Sequence, residues 1–263
     1  MIVEKVVIHI VNWLTDYAKK AGINGFVIGI SGGIDSAVTS TLAAKTGLPL
    51  ICVEMPIHQD KTQEQRGLNH IAFLQSNYKN VSLAKMDLTN VFDGFVSAIP
   101  NRLDNDLEKL ALANTRSRLR MSALYFLGQV NHCLVLGTGN KVEDFGIGFY
   151  TKYGDGGVDL SPIADMYKTE VYEIGKYLNI IEEILIAPPT DGLFGDGRTD
   201  EDQIGASYPE LEWAMKLIEE GECNFNNFNS REKKVFEIYT RLNRINQHKM
   251  NPIPICIVPK EIR

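Results

Sequence analysis

The sequence has little that would tie it to an oxidising compartment or a membrane. Its four cysteines, Cys52, Cys133, Cys223 and Cys256, include no CxxC pair, so the usual spacings of a zinc knuckle or a disulfide framework are missing. Cys52 and Cys133 lie in apolar runs, where a thiol reads as a small core residue of a reducing compartment. No apolar run approaches the roughly 20 residues of a membrane helix. The first residues, MIVEKVVIHI, lack a cleavage motif, and a cytoplasmic location is expected. Positive charge is also in deficit. With 27 Lys and Arg against 33 Asp and Glu the net charge is −6, which disfavours a broad basic face for nucleic acid. Neither GxxxxGK[ST] nor GxGxxG occurs, so the Walker and dinucleotide fingerprints are both excluded.

What is present is an alternation of two periodicities. Apolar residues at helical spacing run over 3–20 and stop at Gly22. A short apolar run follows, Gly25 to Ile30, of the kind buried on both faces of a parallel sheet. Further strands are expected at Leu50 to Met55, Val81 to Met86 and Cys133 to Gly137. Helices are expected between them at about 36–45, 61–76, 88–98 and 103–128, the last ending at Gly128. Strands alternating with helices predict an α/β fold with a Rossmann-like parallel sheet and helices on both faces. Later helices are expected at 166–178, 208–220 and 230–247. Residues 187–200, dense in Pro, Gly and Asp, read as a long loop able to act as a lid.

The strongest chemical signal is the string Ser31-Gly32-Gly33-Ile34-Asp35-Ser36 between the first strand and its helix. A helix N-terminus exposes unpaired N–H groups and a partial positive charge, so it binds phosphate. Glycines let the backbone approach the phosphate, and Ser31 and Ser36 add hydroxyls. Asp35 would repel a phosphate unless a Mg²⁺ stood between them. Glu143, beyond the end of the fourth strand, would face Asp35 across the cleft, since ligands in parallel sheets sit past the strands' carboxyl ends. The glycine-rich stretch from Thr151 to Asp159 (TKYGDGGVD) is costly to order and so is expected to serve a ligand.

SGGIDS resembles the pyrophosphate loop of the ATP pyrophosphatases, whose fold is of the adenine nucleotide alpha hydrolase type. Paired with TKYGDGGVD and His248-Lys249, it is similar to the ammonia-dependent NAD synthetases over about residues 20–250. The resemblance implies that Gly29, Ile30, Ser31, Gly32, Gly33, Ile34, Asp35, Ser36, Thr138, Lys168 and Thr190 bind ATP, and that Asp35 and Glu143 bind Mg²⁺. It implies that Arg120, Lys152, Asp159, His248 and Lys249 bind nicotinic acid adenine dinucleotide (deamido-NAD). Asp155 would lie near the reacting centre, with Asp35, Glu143 and Lys168 as the other catalytic groups. A homodimer is also implied, with the 103–128 helix at its interface.

The chain departs from that family's pattern in three ways. Gly139-Asn140 replaces a frequent Asp-His, the stretch from Glu143 to Thr151 is one residue longer than usual, and Met250 replaces an Arg. Residues 1–263 are expected to form one synthetase domain with no glutaminase domain, so that free ammonia is the nitrogen donor. The competing readings are a tRNA-modifying pyrophosphatase, disfavoured by the charge and the missing CxxC, and a nucleotide sensor without chemistry, disfavoured by two carboxylates placed for a metal.

Overall fold

The computed structural model describes residues 1–103, 105–190, 199–221 and 225–263. Four strands, β1 (Gly25–Gly29), β2 (Leu50–Glu54), β3 (Val81–Lys85) and β4 (Cys133–Val135), form a parallel sheet in the order β3-β2-β1-β4. Helices α1 (Val3–Ala21), α2 (Ile34–Ala44), α3 (Lys61–Asn77), α4 (Thr89–Ser97) and α5 (Asp106–Asn131) separate them. Then come α6 (Lys168–Tyr177), α7 (Glu182–Leu185), α8 (Asp200–Ile204), α9 (Tyr208–Glu220) and α10 (Ser230–Met250).

Alternation within the strands builds a core on each face. Phe26, Ile28, Leu50 and Cys52 pack with Leu14 of α1, Leu42 of α2, Leu74 of α3 and Ile174 of α6. Val27, Val53 and Val135 point the other way, against Phe92 of α4 and Ala123 of α5. Because β2 and β3 lie on one side of β1 and β4 on the other, the chain leaves β1 and β4 in diverging directions. That opens a crevice at their carboxyl ends.

The long helix starts at Asp106, because the Asn105 side chain accepts from the Glu108 N–H and caps it. It runs past Gly128 to Asn131, ending where His132 takes a left-handed conformation (φ 56°). Gly128 is there for close packing: a Cβ would stand 2.9 Å from the Cys133 carbonyl oxygen and 3.4 Å from Val27. After β4 the chain forms a π-helix, Val142–Ile147. A π turn holds one residue more than an α turn, and it overlaps the Glu143–Thr151 stretch that is expected to be one residue longer than the family's. Val142 and Ile147 anchor it in a third core with Leu211 and Met215 of α9 and Val235 and Tyr239 of α10.

One core group gives the fold a pH dependence. His70 is fully buried, with Nε2 2.9 Å from Ser40 Oγ. Burial pushes its imidazole from 6.5 down to about 4. The unfolded chain therefore binds the extra proton between those values, and stability present above 6.5 is lost as the pH falls towards 4. Lowering the pH from about 7.5 to about 5 is expected to cost about 2 kcal/mol through this group. Urea unfolding at both pH values checks it: His70→Leu should remove that part of the slope, and an unchanged slope would refute the assignment.

Candidate functional site

The crevice is a cleft of about 280 Å³. Its floor is the loop Ser31–Ser36. Gly32 there has φ 78°, and a Cβ would come 2.7 Å from the Gln63 carbonyl oxygen, so only glycine fits. Ser31 Oγ accepts from the Gly33 N–H, Ser31 and Ser36 hydroxyls meet at 3.1 Å, and Arg66 Nε donates to the Gly32 carbonyl at 2.9 Å. The N-cap of α2 is Gly33, which makes no side-chain cap bond. The first-turn N–H groups thus remain for an anion.

Three charges meet at one wall. Lys168 Nζ lies 2.5 Å from Asp35 Oδ2 and 3.1 Å from Glu143 Oε1, with the lysine only 3% exposed. Tyr208 donates its hydroxyl to Glu143 (2.5 Å), its ring lies 4.6 Å from Lys168 Nζ, and Asp200 stands 3.3 Å from the same hydroxyl. Burial works against charge on Lys168, but Asp35 and Glu143 outweigh it and hold the ammonium protonated. Burial raises Asp35 above the usual carboxyl range, with Lys168 pulling down and Glu143 pushing up. Two carboxylates therefore converge on a single cation. Among the described residues no group of three or more His, Cys, Asp or Glu could hold a metal, so an ion here would complete its coordination from phosphate and water oxygens.

Asn140, where the sequence departs from the family's common pattern, ties this wall together. It donates Nδ2 to Asp35 Oδ1 (3.3 Å) and accepts from the Glu143 N–H (3.2 Å), and it is fully buried. The glycine-rich loop docks on α5. Asp155 Oδ1 accepts from Ser117 Oγ (2.6 Å) and from the Thr151 N–H (3.0 Å), and Thr151 Oγ1 bonds Asn114. Gly154 is required, since a Cβ would come 2.2 Å from Ser117 Oγ. Protein on most sides of Asp155 pushes its carboxyl up, although the residue stays open to the cleft. Asp144, beside Glu143 on the π-helix, is pushed up to about 8 by burial, then by Glu143, Asp155 and Asp35.

All of the residues marked for ATP except Gly32 line the cleft, as do Glu143, Asp155 and Arg120. Gly32 sits just behind, its carbonyl held by Arg66. Thr190 lines the cleft with Pro188, Pro189 and Asp200, on the side where Asp200 meets Tyr208. The rest of the expected lid, 191–198, lies outside the described residues. The groups marked for the dinucleotide are split among three places. Arg120 faces the end of β2, bonding the Met55 carbonyl (3.0 Å) and Gln59 (2.8 Å). Lys152 bonds the His248 carbonyl, and Lys249 bonds the carbonyls of Gly148 and Tyr150 at 2.8 Å each, behind the cleft-lining Tyr150 and without lining the cleft themselves. Asp159 pins the loop, accepting from the Val135 N–H (2.8 Å) and the Tyr125 hydroxyl (3.0 Å). Asn140 carried a signal in the sequence as a departure from the family's pattern, and Asp144 as the neighbour of Glu143, but neither was expected in the site; Ser117 and Tyr208 carried none.

The family model described as NAD synthase matches residues 6–253. An NH(3)-dependent NAD(+) synthetase of Carboxydothermus hydrogenoformans is 36% identical over 246 residues, covering 91% of this chain and 92% of its own. Among solved structures, an NMN synthetase from Francisella tularensis has a TM-score of 0.82 at 30% identity, with 99% of each chain covered. An NH3-dependent NAD synthetase from Campylobacter jejuni, solved with a nitrate ion, has a TM-score of 0.78 at 25% identity, covering 98% of this chain and all of that one (100%).

Proposed function

The chain belongs to the NAD synthase family, and from that premise we propose how its cleft carries out the ATP-dependent amidation of deamido-NAD by ammonia. The observation that carries the reading is the convergence of Asp35 and Glu143 on one cation at the edge of an uncapped phosphate loop.

In the first step a nicotinate carboxylate oxygen bonds to the α-phosphorus of ATP. The α–β phosphoanhydride bond breaks and pyrophosphate leaves. Positioning and charge neutralisation supply most of the catalysis of such a step. The loop N–H groups and Lys168 hold the departing phosphates. Asp35 and Glu143 would hold Mg²⁺, which when bound neutralises charge on the phosphate oxygens. In the second step the nitrogen of ammonia bonds to the acyl carbon, the bond to AMP breaks, and a proton leaves the nitrogen. Asp155 is the group we assign to orient the amine. Arg120 would take the pyridine substrate in the cleft. Lys152, Asp159, His248 and Lys249 would act from the rim or through the loop they hold.

Pyrophosphate measurements test the reading. Turnover should need ATP, deamido-NAD and ammonium together, with at most a single burst when ammonium is omitted. Sustained release without the dinucleotide would overturn it. Asp155→Asn keeps an oxygen for Ser117 and Thr151, so the loop should stay docked. It is expected to raise the KM for ammonium about tenfold or more with little change for ATP, and an unmoved ammonium KM would remove Asp155 from the second step.

The likeness to the Francisella NMN synthetase supports a second reading, in which the mononucleotide bearing a nicotinate carboxylate is the preferred acceptor. The ratio of kcat/KM for the two acceptors decides between them.

We also propose a homodimer and a cytoplasmic location. Leu103 just before α5, and Leu107 and Leu110 at its start, are 68%, 75% and 49% exposed, apolar surface that a second copy would cover. Sedimentation should give a dimer at about micromolar concentration, and Leu107→Glu with Leu110→Glu should give a monomer. A parent monomer would refute it. Free thiols at Cys52, Cys133 and Cys256 support the location. No helix among the described residues is long and apolar enough to cross a membrane.

A further inference from the structure

The cleft has a back wall with a second chamber behind it. Gly137, Gly139, Asp144, Tyr150, Asp155 and Val158 line both spaces. Behind them the chamber, about 150 Å³, is completed by Phe145, Gly156, Ser161 and Met250. Phe145 is 53% exposed, so the chamber reaches solvent at the π-helix. No residue of the phosphate loop lines it. The molecule thus offers two approaches to Asp155, one through the nucleotide cleft and one from behind.

The two approaches differ in chemistry. The cleft presents Lys168 and the start of α2, which suit phosphates. Among the described residues the chamber is lined by no Lys or Arg but by two carboxyl groups, with the Ser161 hydroxyl able to donate or accept. A polyphosphate finds no cation among these lining residues and would face both carboxyl groups. A small molecule whose N–H groups need acceptors finds them there. The volume matches a few molecules the size of water, each taking about 30 Å³ of liquid, and is too small for a nucleotide.

We propose that this chamber is the entry port for the amine nucleophile, admitting ammonia to the acyl carbon from behind while the nucleotides occupy the cleft. The proposal rests on the amidation reading above. The π-helix and the glycines beside it build the port. Asp144 fits against Gly139, where a Cβ would lie 2.1 Å from Asp144 Oδ1. Gly148 lets the Met250 side chain close in, a Cβ there lying 3.0 Å from Met250 Cε. Phe145 and Met250 set the width without contributing a charge.

Tryptophan at the walls tests it. Met250→Trp and Phe145→Trp are each expected to raise the KM for ammonium about tenfold. The KM for ATP and for deamido-NAD, and the pyrophosphate burst without ammonium, should be unchanged. Met250→Ala should increase the ratio of methylamine to ammonia kcat/KM, because a wider port admits the larger amine. Folded tryptophan variants with the parental ammonium KM would overturn the port. Should those variants not fold, an unmoved amine ratio in Met250→Ala overturns it instead. Sustained pyrophosphate release by the parent protein without deamido-NAD would count against the amidation reading, a failure separable from that of the port.

Discussion

Asp35→Asn is expected to slow pyrophosphate release about a thousandfold while melting close to the parent. The chemistry loses one of two carboxylates that meet the cation beside the departing phosphates. The fold loses little. Burial already raises the Asp35 carboxyl, so an uncharged group of the same shape is tolerated there. Lys168 keeps its 3.1 Å contact to Glu143, and Asn140 keeps an oxygen to donate to. The measurements are kcat by pyrophosphate release and Tm by calorimetry. Added Mg²⁺ should recover part of the lost rate, since the variant's defect lies in holding the ion. Turnover within about tenfold of the parent, or a rate indifferent to Mg²⁺, would remove Asp35 from the metal role.

Lys168→Met has the opposite balance, with a heavy cost to both fold and activity. Methionine fills the volume of the lysine stem but leaves Asp35 and Glu143 facing each other without their cation. Breaking a buried pair in this way costs about 3 kcal/mol, and the rate should fall at least about a hundredfold as the phosphates lose a positive partner. The sign of the pH dependence follows. Lys168 is one of the groups holding Asp35 down, so its loss drives that carboxyl further up and folding takes up a proton. Relative to the parent, stability of the variant should therefore rise as the pH is lowered. Unfolding measurements at a series of pH values, compared with the parent, give the result, and a variant as stable as the parent would mean that the cluster is hydrated and weakly coupled.

The sheet and its helices were legible because the interior is organised by short-range rules. Strands buried on both faces must be apolar throughout, and the helices between them must carry a stripe. The phosphate loop was legible for a similar reason, since Gly32 meets a steric requirement met by no other residue. What escaped is set by contacts distant in sequence. Nothing near Asn140 says that its amide joins Asp35 to the Glu143 backbone. Nothing near Ser117 says that Asp155, 38 positions away, will bond to it. Tyr208 reads as an ordinary helix-start aromatic until α9 is packed on the π-helix. Asp159 was matched by motif, and its position cannot reveal that both its oxygens are engaged by Val135 and Tyr125. Gly128 read as a stop, yet it lies inside α5 because the sheet comes too close for a side chain.

The π-helix makes chain length an adjustable quantity at this point of the molecule. The π turn leaves Val142 and Ile147 anchored in their core and Thr151 docked on α5. Insertion is absorbed as a wider turn, and deletion of one residue would relax it to an ordinary α turn. Flanking groups that must keep their spacing are thereby insulated from a change in residue number between them. Variation by single-residue gain or loss, elsewhere a frame-breaking event for an active site, here reshapes only the wall that Asp144 and Phe145 form.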